Sequence, residues 1–217
     1  MDDKTKGILK PFNILSDHLL IDSEFYQAQM KCVFSEPIIE KRILINKEAF
    51  ISNIRKKYSV DLSHLTDECQ EHEKKVKRPV VFTETAVAEV INAYDKILIE
   101  GFNVSEMRKL YEVLYDSSER NVKYTSWQSI KLIEAILAKL FLSVNNLDIT
   151  SVMSPLYILH DYRILLDHLL SADKISDTKQ HIVATLGVQS FNDQESIYNE
   201  EIKRLNTLFN YLGVLSK

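Results

Sequence analysis

From Thr83 onward, apolar side chains recur every three or four residues in one segment after another. Val87, Val90, Ile91, Tyr94, Ile97 and Leu98 form one stripe, and Met107, Leu110, Tyr111 and Leu114 form the next. Trp127, Ile130, Ile133, Leu137, Leu140 and Phe141 form a third, and Ile197, Ile202, Leu205, Leu208, Phe209 and Leu212 form the last. This spacing follows the α-helical turn of about 3.6 residues, not the alternation of a strand. Little interrupts it, because 217 residues include only four glycines and four prolines. Scarce turn formers favour long helices with short connections over a many-stranded sheet. The predicted fold is mostly α, with a helical bundle over 81–217.

Capping residues predict the boundaries. Thr83 or Thr85 opens the first helix of the bundle and Gly101 closes it, as glycine does just past a helix end. Ser105 caps the second. Thr125 opens a long third helix that Asn145-Asn146 closes. Ser154-Pro155 opens a fourth, with proline at the first helical position, where its missing N–H costs nothing. Ser176 or Asp177 begins a short helix ending at Gly187, and the last runs from about Asp193 to Leu212.

Residues 1–80 have a different texture and are read as a separate small region, α+β or helical. Tyr26–Phe34 and Ile38–Ile45 partly alternate apolar and polar residues across Glu36-Pro37, the pattern of a hairpin, although both runs also tolerate helix. Asn46 resembles an N-cap before a stripe of Phe50, Ile51, Ile54 and Tyr58, and a polar helix is expected from Asp61 to about Lys75. The basic run Lys74–Arg78, ended by Pro79, reads as a solvated linker. Lys41, Arg42, Lys47, Arg55, Lys56 and Lys57 read as a solvated basic face.

Charge and motif content exclude several classes. A net charge of −4 argues against a constitutive nucleic-acid coat protein, since phosphate affinity needs basic density. The apolar run Ile130–Val144 is broken by Lys131, Glu134 and Lys139, so no membrane span is expected. The polar start Met1-Asp-Asp-Lys-Thr-Lys precedes no secretory core, and the two cysteines, Cys32 and Cys69, imply no disulfide framework. The expected setting is the cytoplasm. Gly7, Gly101, Gly187 and Gly213 build no phosphate-cradling loop, so no nucleotide cofactor is expected. His64, Cys69 and His72 include a Cys-x2-His spacing, but a closed zinc site needs a fourth ligand, and no metal site is expected. His18 and His181 have no evident partner.

One segment carries candidate chemistry. Leu156–Leu170 reads as a helix with Ile158, Tyr162, Leu165, Leu166 and Leu169 on its core stripe. Arg163 and His168 flank that stripe, about 140° apart and about 7.5 Å apart along the axis. Within one helix they converge poorly. An isologous dimer would bring the arginine of one copy to the histidine of the other, so the spacing points to a homodimer.

The Arg-x4-His spacing and its lead-in, Ser154–Arg163, resemble the R-x4-6-H motif of the HEPN superfamily, over about residues 84–217. The resemblance implies a metal-independent endoribonuclease acting on RNA, in the manner of a toxin or anti-phage effector, with an antitoxin or a larger defence assembly as a possible partner. His168 would take the 2′-OH proton and later protonate the leaving 5′-oxygen, giving a 2′,3′-cyclic phosphate. Arg163 would hold the phosphate oxygens as charge builds on them. Asp161 and Asp167 would orient the imidazole, and His160 would extend the site. Ile164 stands where RNA-cleaving members usually carry Asn, Asp or His. It divides this reading from the alternative, a non-catalytic HEPN-like dimerisation or partner-docking module.

Overall fold

Helices account for most of the residues that the computed structural model describes, which are 37–140, 148–167 and 169–216. In chain order these are α1 (Ile39–Tyr58), α2 (Thr66–Glu73), α3 (Glu84–Asp95), which runs on into a π-turn (Lys96–Glu100), and α4 (Val104–Leu114). A 3₁₀ turn (Tyr124–Ser126) precedes α5 (Ser129–Leu140), α6 (Ile149–Asp167), α7 (Ala172–Leu186) and α8 (Gln194–Leu215). Among the described residues there is no strand, only an isolated bridge between Ser63 and Phe102. The protein is mostly α, as its periodicity requires.

The long apolar helix α6 lies at the centre, in contact with α3, α5, α7 and α8. Its composition follows from that position. Met153, Leu156, Ile158, Leu159 and Tyr162 are all buried, covering far more of the circumference than one amphipathic stripe. Leu169, expected on the same stripe, lies past the end of the helix and is fully exposed. Tyr162 keeps its hydroxyl satisfied by donating to Gln194 Oε1 at 2.5 Å.

Several boundaries are set by side chains that sequence reading identified. Thr83 Oγ1 accepts from the Ala86 amide, and Asp193 Oδ1 accepts from the Ser196 amide. Gly187 takes the left-handed conformation, φ 73°, that closes α7. Others differ. Asn103, not Ser105, caps α4, because its Oδ1 accepts from the amides of both Ser105 and Glu106. The segment before Ser129 forms a 3₁₀ turn, and α7 begins at Ala172, earlier than Ser176. Helix α6 runs straight through Ser154-Pro155. Pro155 has no N–H to offer the Ser151 carbonyl, and the Ser154 hydroxyl donates to that carbonyl instead, at 2.7 Å.

The division near residue 80 does not mark a compact unit, which instead spans Ile38–Lys217. Ile38–Ile45, whose pattern fitted either a hairpin strand or a helix, is helical from Ile39 on. Glu40, Ile43, Lys47, Phe50, Ile51 and Ile54 form one buried face continuing past Asn46, and a single face packed along α8 outweighs local alternation. The proposed partner strand, Tyr26–Phe34, lies outside the described residues, as do His18, Cys32 and the Asn145-Asn146 helix end. The predicted linker is docked rather than free. Val76 is buried, and Arg78 stacks over Phe82 and Tyr198 while donating to Asn199 Oδ1 at 2.9 Å.

Gly101 follows the π-turn at a point of close approach. A Cβ there would lie 2.4 Å from the Ile97 carbonyl oxygen and 2.9 Å from Cys69 Sγ. The first of these is backbone and cannot rotate away. Gly101→Ala is therefore expected to cost about 1–3 kcal/mol, as overpacking does, seen as a lower urea midpoint at unchanged slope. An unshifted midpoint would show that the turn relaxes freely.

Candidate functional site at Arg163

Arg163 leaves α6 on the side facing α3. Its Nη1 donates to Asp95 Oδ2 at 2.9 Å and also to Glu100 Oε1. Its side chain is 30% exposed, whereas that of Asp95 is 0% exposed. The other Asp95 oxygen, Oδ1, has no hydrogen-bond partner. Burial pushes the Asp95 carboxyl above the usual carboxylate range, and the Arg163 charge pulls it part of the way back. Burial acts to lower the Arg163 value too, but Asp95 and Glu100 outweigh it and hold the guanidinium charged.

The π-turn makes this clamp. Asp95 and Glu100 are five positions apart, which in a regular α-helix would separate them by about 140°. The wider winding of a π-turn, with its i→i+5 hydrogen bonds, brings residues five apart nearly into line. Both carboxylates thereby reach one guanidinium.

The remaining predicted site residues fall in different places. His160 is exposed and lies near enough to Asp95 to favour its charged form. Asp161 projects from the other side of α6, since consecutive-but-one residues are about 200° apart. Its Oδ2 lies 3.7 Å from Nε2 of His181 in α7. Burial raises the Asp161 carboxyl, with His181 and His160 acting against it. Thus Asp161 and Arg163 do not converge, and His181 gains the partner that the sequence did not reveal. His168 and the side chain of Asp167 lie outside the described residues.

Arg163 is therefore anchored inward, not placed on a solvated face. Gripping a phosphate would require it to leave two carboxylates, one of them wholly buried. Asp95, Glu100 and Asp161 also place negative charge around this end of α6, which disfavours a polyanion. Sequence reasoning missed Asp95 and Glu100. A signal existed, since Asp95 interrupts an apolar stripe between Tyr94 and Ile97, and a charge at a core position requires a partner.

Cys69 is buried, its thiol lies 3.6 Å from the His64 carbonyl oxygen, and burial pushes its value up. That environment makes it a packing residue and not a nucleophile. Among the described residues no three His, Cys, Asp or Glu side chains gather in a way that could hold a metal ion. Nor is any described helix long and apolar enough to cross a membrane. No family model, no curated protein and no solved structure matches this chain.

Proposed function

We propose that this chain is a non-catalytic, HEPN-like helical module that acts by docking a protein partner, most simply a second copy of itself. The observation that carries this reading is the double ion pair of Arg163 with Asp95 and Glu100. A guanidinium committed to its own bundle stabilises the packing of α6 against α3. It is poorly placed to stabilise charge on a scissile phosphate. Ile164, in the position where a polar residue accompanies catalysis in the family it resembles, agrees with this assignment.

The ribonuclease reading rests on the Arg163-x4-His168 spacing and makes the opposite prediction. The deciding experiment incubates the purified chain with single-stranded RNA at neutral pH in EDTA. Intact RNA, and no growth difference between cells expressing wild type and His168→Ala, are the expected results. Cleavage ending in a 2′,3′-cyclic phosphate and abolished by His168→Ala would overturn the proposal and restore the enzyme. Light scattering at tens of micromolar is expected to give twice the chain mass. A strictly monomeric species would remove the second copy as the docking partner.

A further inference from the structure

Glu201 is completely buried, and neither of its carboxylate oxygens has a hydrogen-bond partner. Arg204 stands three positions further along α8, within the reach of a helical side-chain pair. Its guanidinium is turned elsewhere. Nη1 donates to the Thr185 carbonyl oxygen at 2.7 Å, and Nη2 donates to that of Leu186 at 3.1 Å. These are the last two carbonyls of α7, which a regular helix leaves without amide partners, and a cation there also meets the negative end of the helix dipole. Arg204 thus fastens α7 to α8 and leaves an acid of its own helix unsatisfied. It has room to turn, because it borders a cavity of about 370 Å³ lined also by Ser151, Val152 and Leu208. Glu201 and Leu208 are seven positions apart, about 20° around the helix, so the carboxylate lies on the cavity's side of α8.

Helix α8 packs on α1, α3, α6 and α7. Among the described residues, the carboxylates and cations that those helices bury are Glu40 and Lys47 on α1 and Asp95 on α3. Glu40 accepts from Tyr198 at 2.8 Å, Lys47 lies 3.9 Å from Glu48, and Asp95 is held by Arg163. The charges of α6 and α7, Asp161 and His181 among them, are not buried. Arg204 is the charge that acts on Glu201, and it opposes a burial that keeps the carboxyl protonated well above the ordinary glutamate range. We infer that Arg204 is a two-position latch, which fastens the end of α7 while Glu201 holds its proton and turns to Glu201 when that proton passes to solvent. Loss of the proton leaves a bare carboxylate in the core, a state costly enough to draw in the neighbouring cation. The end of α7 then loses both donors and loosens, so a change of pH becomes a movement of one helix end.

The test is hydrogen exchange of the full chain at the Gly187 and Val188 amides, both of which donate to the Val183 carbonyl at the end of α7. Exchange is followed by NMR between pH 5 and pH 9, a span that includes the roughly pH 8–9 at which deeply buried glutamates titrate. The ¹³C shift of the Glu201 carboxyl is recorded alongside. In the wild type, exchange corrected for its intrinsic pH dependence is expected to rise about fivefold or more, with the midpoint of the Glu201 carboxyl. Glu201→Gln, neutral at every pH, should keep Arg204 on α7 and give a flat, protected profile. Glu201→Met should do the same, and it decides the matter if the glutamine variant does not fold. Arg204→Gln should exchange fast at every pH. A rise that persists in both Glu201 variants overturns the inference, as does a flat wild-type profile or a Glu201 still protonated at pH 9. So does an Arg204→Gln variant as protected at pH 5 as the wild type.

Discussion

Replacing Arg163 by alanine is expected to lower stability by about 2–4 kcal/mol, somewhat less than the full cost of breaking a wholly buried pair because the arginine is partly exposed. In a chain of this length that corresponds to a fall in Tm on the order of 5–10 °C. The cause is Asp95, left buried with neither oxygen satisfied. Two further measurements separate this from simple loss of packing. Replacing Asp95 as well, in Asp95→Leu/Arg163→Ala, should recover much of the loss, since removing both partners removes the stranded charge. The loss should also depend on pH. Without Arg163 the Asp95 carboxyl rises further, so the variant's native state holds a proton that its unfolded chain has released. Its stability then falls as pH rises through that interval, and the gap from wild type is wider at pH 8 than at pH 5. A variant that keeps its wild-type Tm would show that Arg163 is free for other work, and the ribonuclease reading would regain its arginine.

The second large effect is a gain. Glu201, on the inward face of α8, is completely buried, and neither carboxylate oxygen has a hydrogen-bond partner. Burial raises its value well above the ordinary one, with the Arg204 charge acting against the shift. Above the ordinary glutamate range the unfolded chain gives up this proton while the native state retains it. Stability therefore decreases as pH rises through the interval and carries the full cost above the folded value. Glu201→Met replaces the carboxylate by an apolar group of similar length. It should add about 1–3 kcal/mol at pH 8, and the gain should shrink as pH falls toward the ordinary glutamate value. Denaturant melts at the two pH values check it, and a loss of stability at pH 8 would mean that the carboxylate is satisfied within the core.

Helix identity was legible wherever a stripe was long, as in α3, α4 and α8, because burial on one face imposes a period that local preferences cannot disguise. It was ambiguous over Ile38–Ile45, where eight residues satisfy two periods and the choice depends on α8, more than a hundred residues later. The start of α6 was misread for a local reason, since Ser154-Pro155 reads as a helix beginning while a hydroxyl compensates for the missing amide inside the helix. The site was less legible than the fold. Arg163 was recognisable as a candidate, but its meaning lies in Asp95 and Glu100, and nothing near Arg163 in the sequence announces them. Likewise the pairing of Asp161 with His181 joins two helices whose approach only the tertiary structure determines.

A π-turn is a helix that carries one residue more than its turn requires. The grip on Arg163 therefore depends on winding as well as on chemistry, because Asp95 and Glu100, five positions apart, share a face only while the turn between them stays wide. Loss of one residue from Ile97–Ile99 would let the helix close into regular winding with the two carboxylates four positions apart, about 40° from each other and still on one face. The stretch from Asp95 to Gly101 thus absorbs an extra residue without taking either carboxylate from the central arginine, and a lineage could shed that residue and keep both ion pairs.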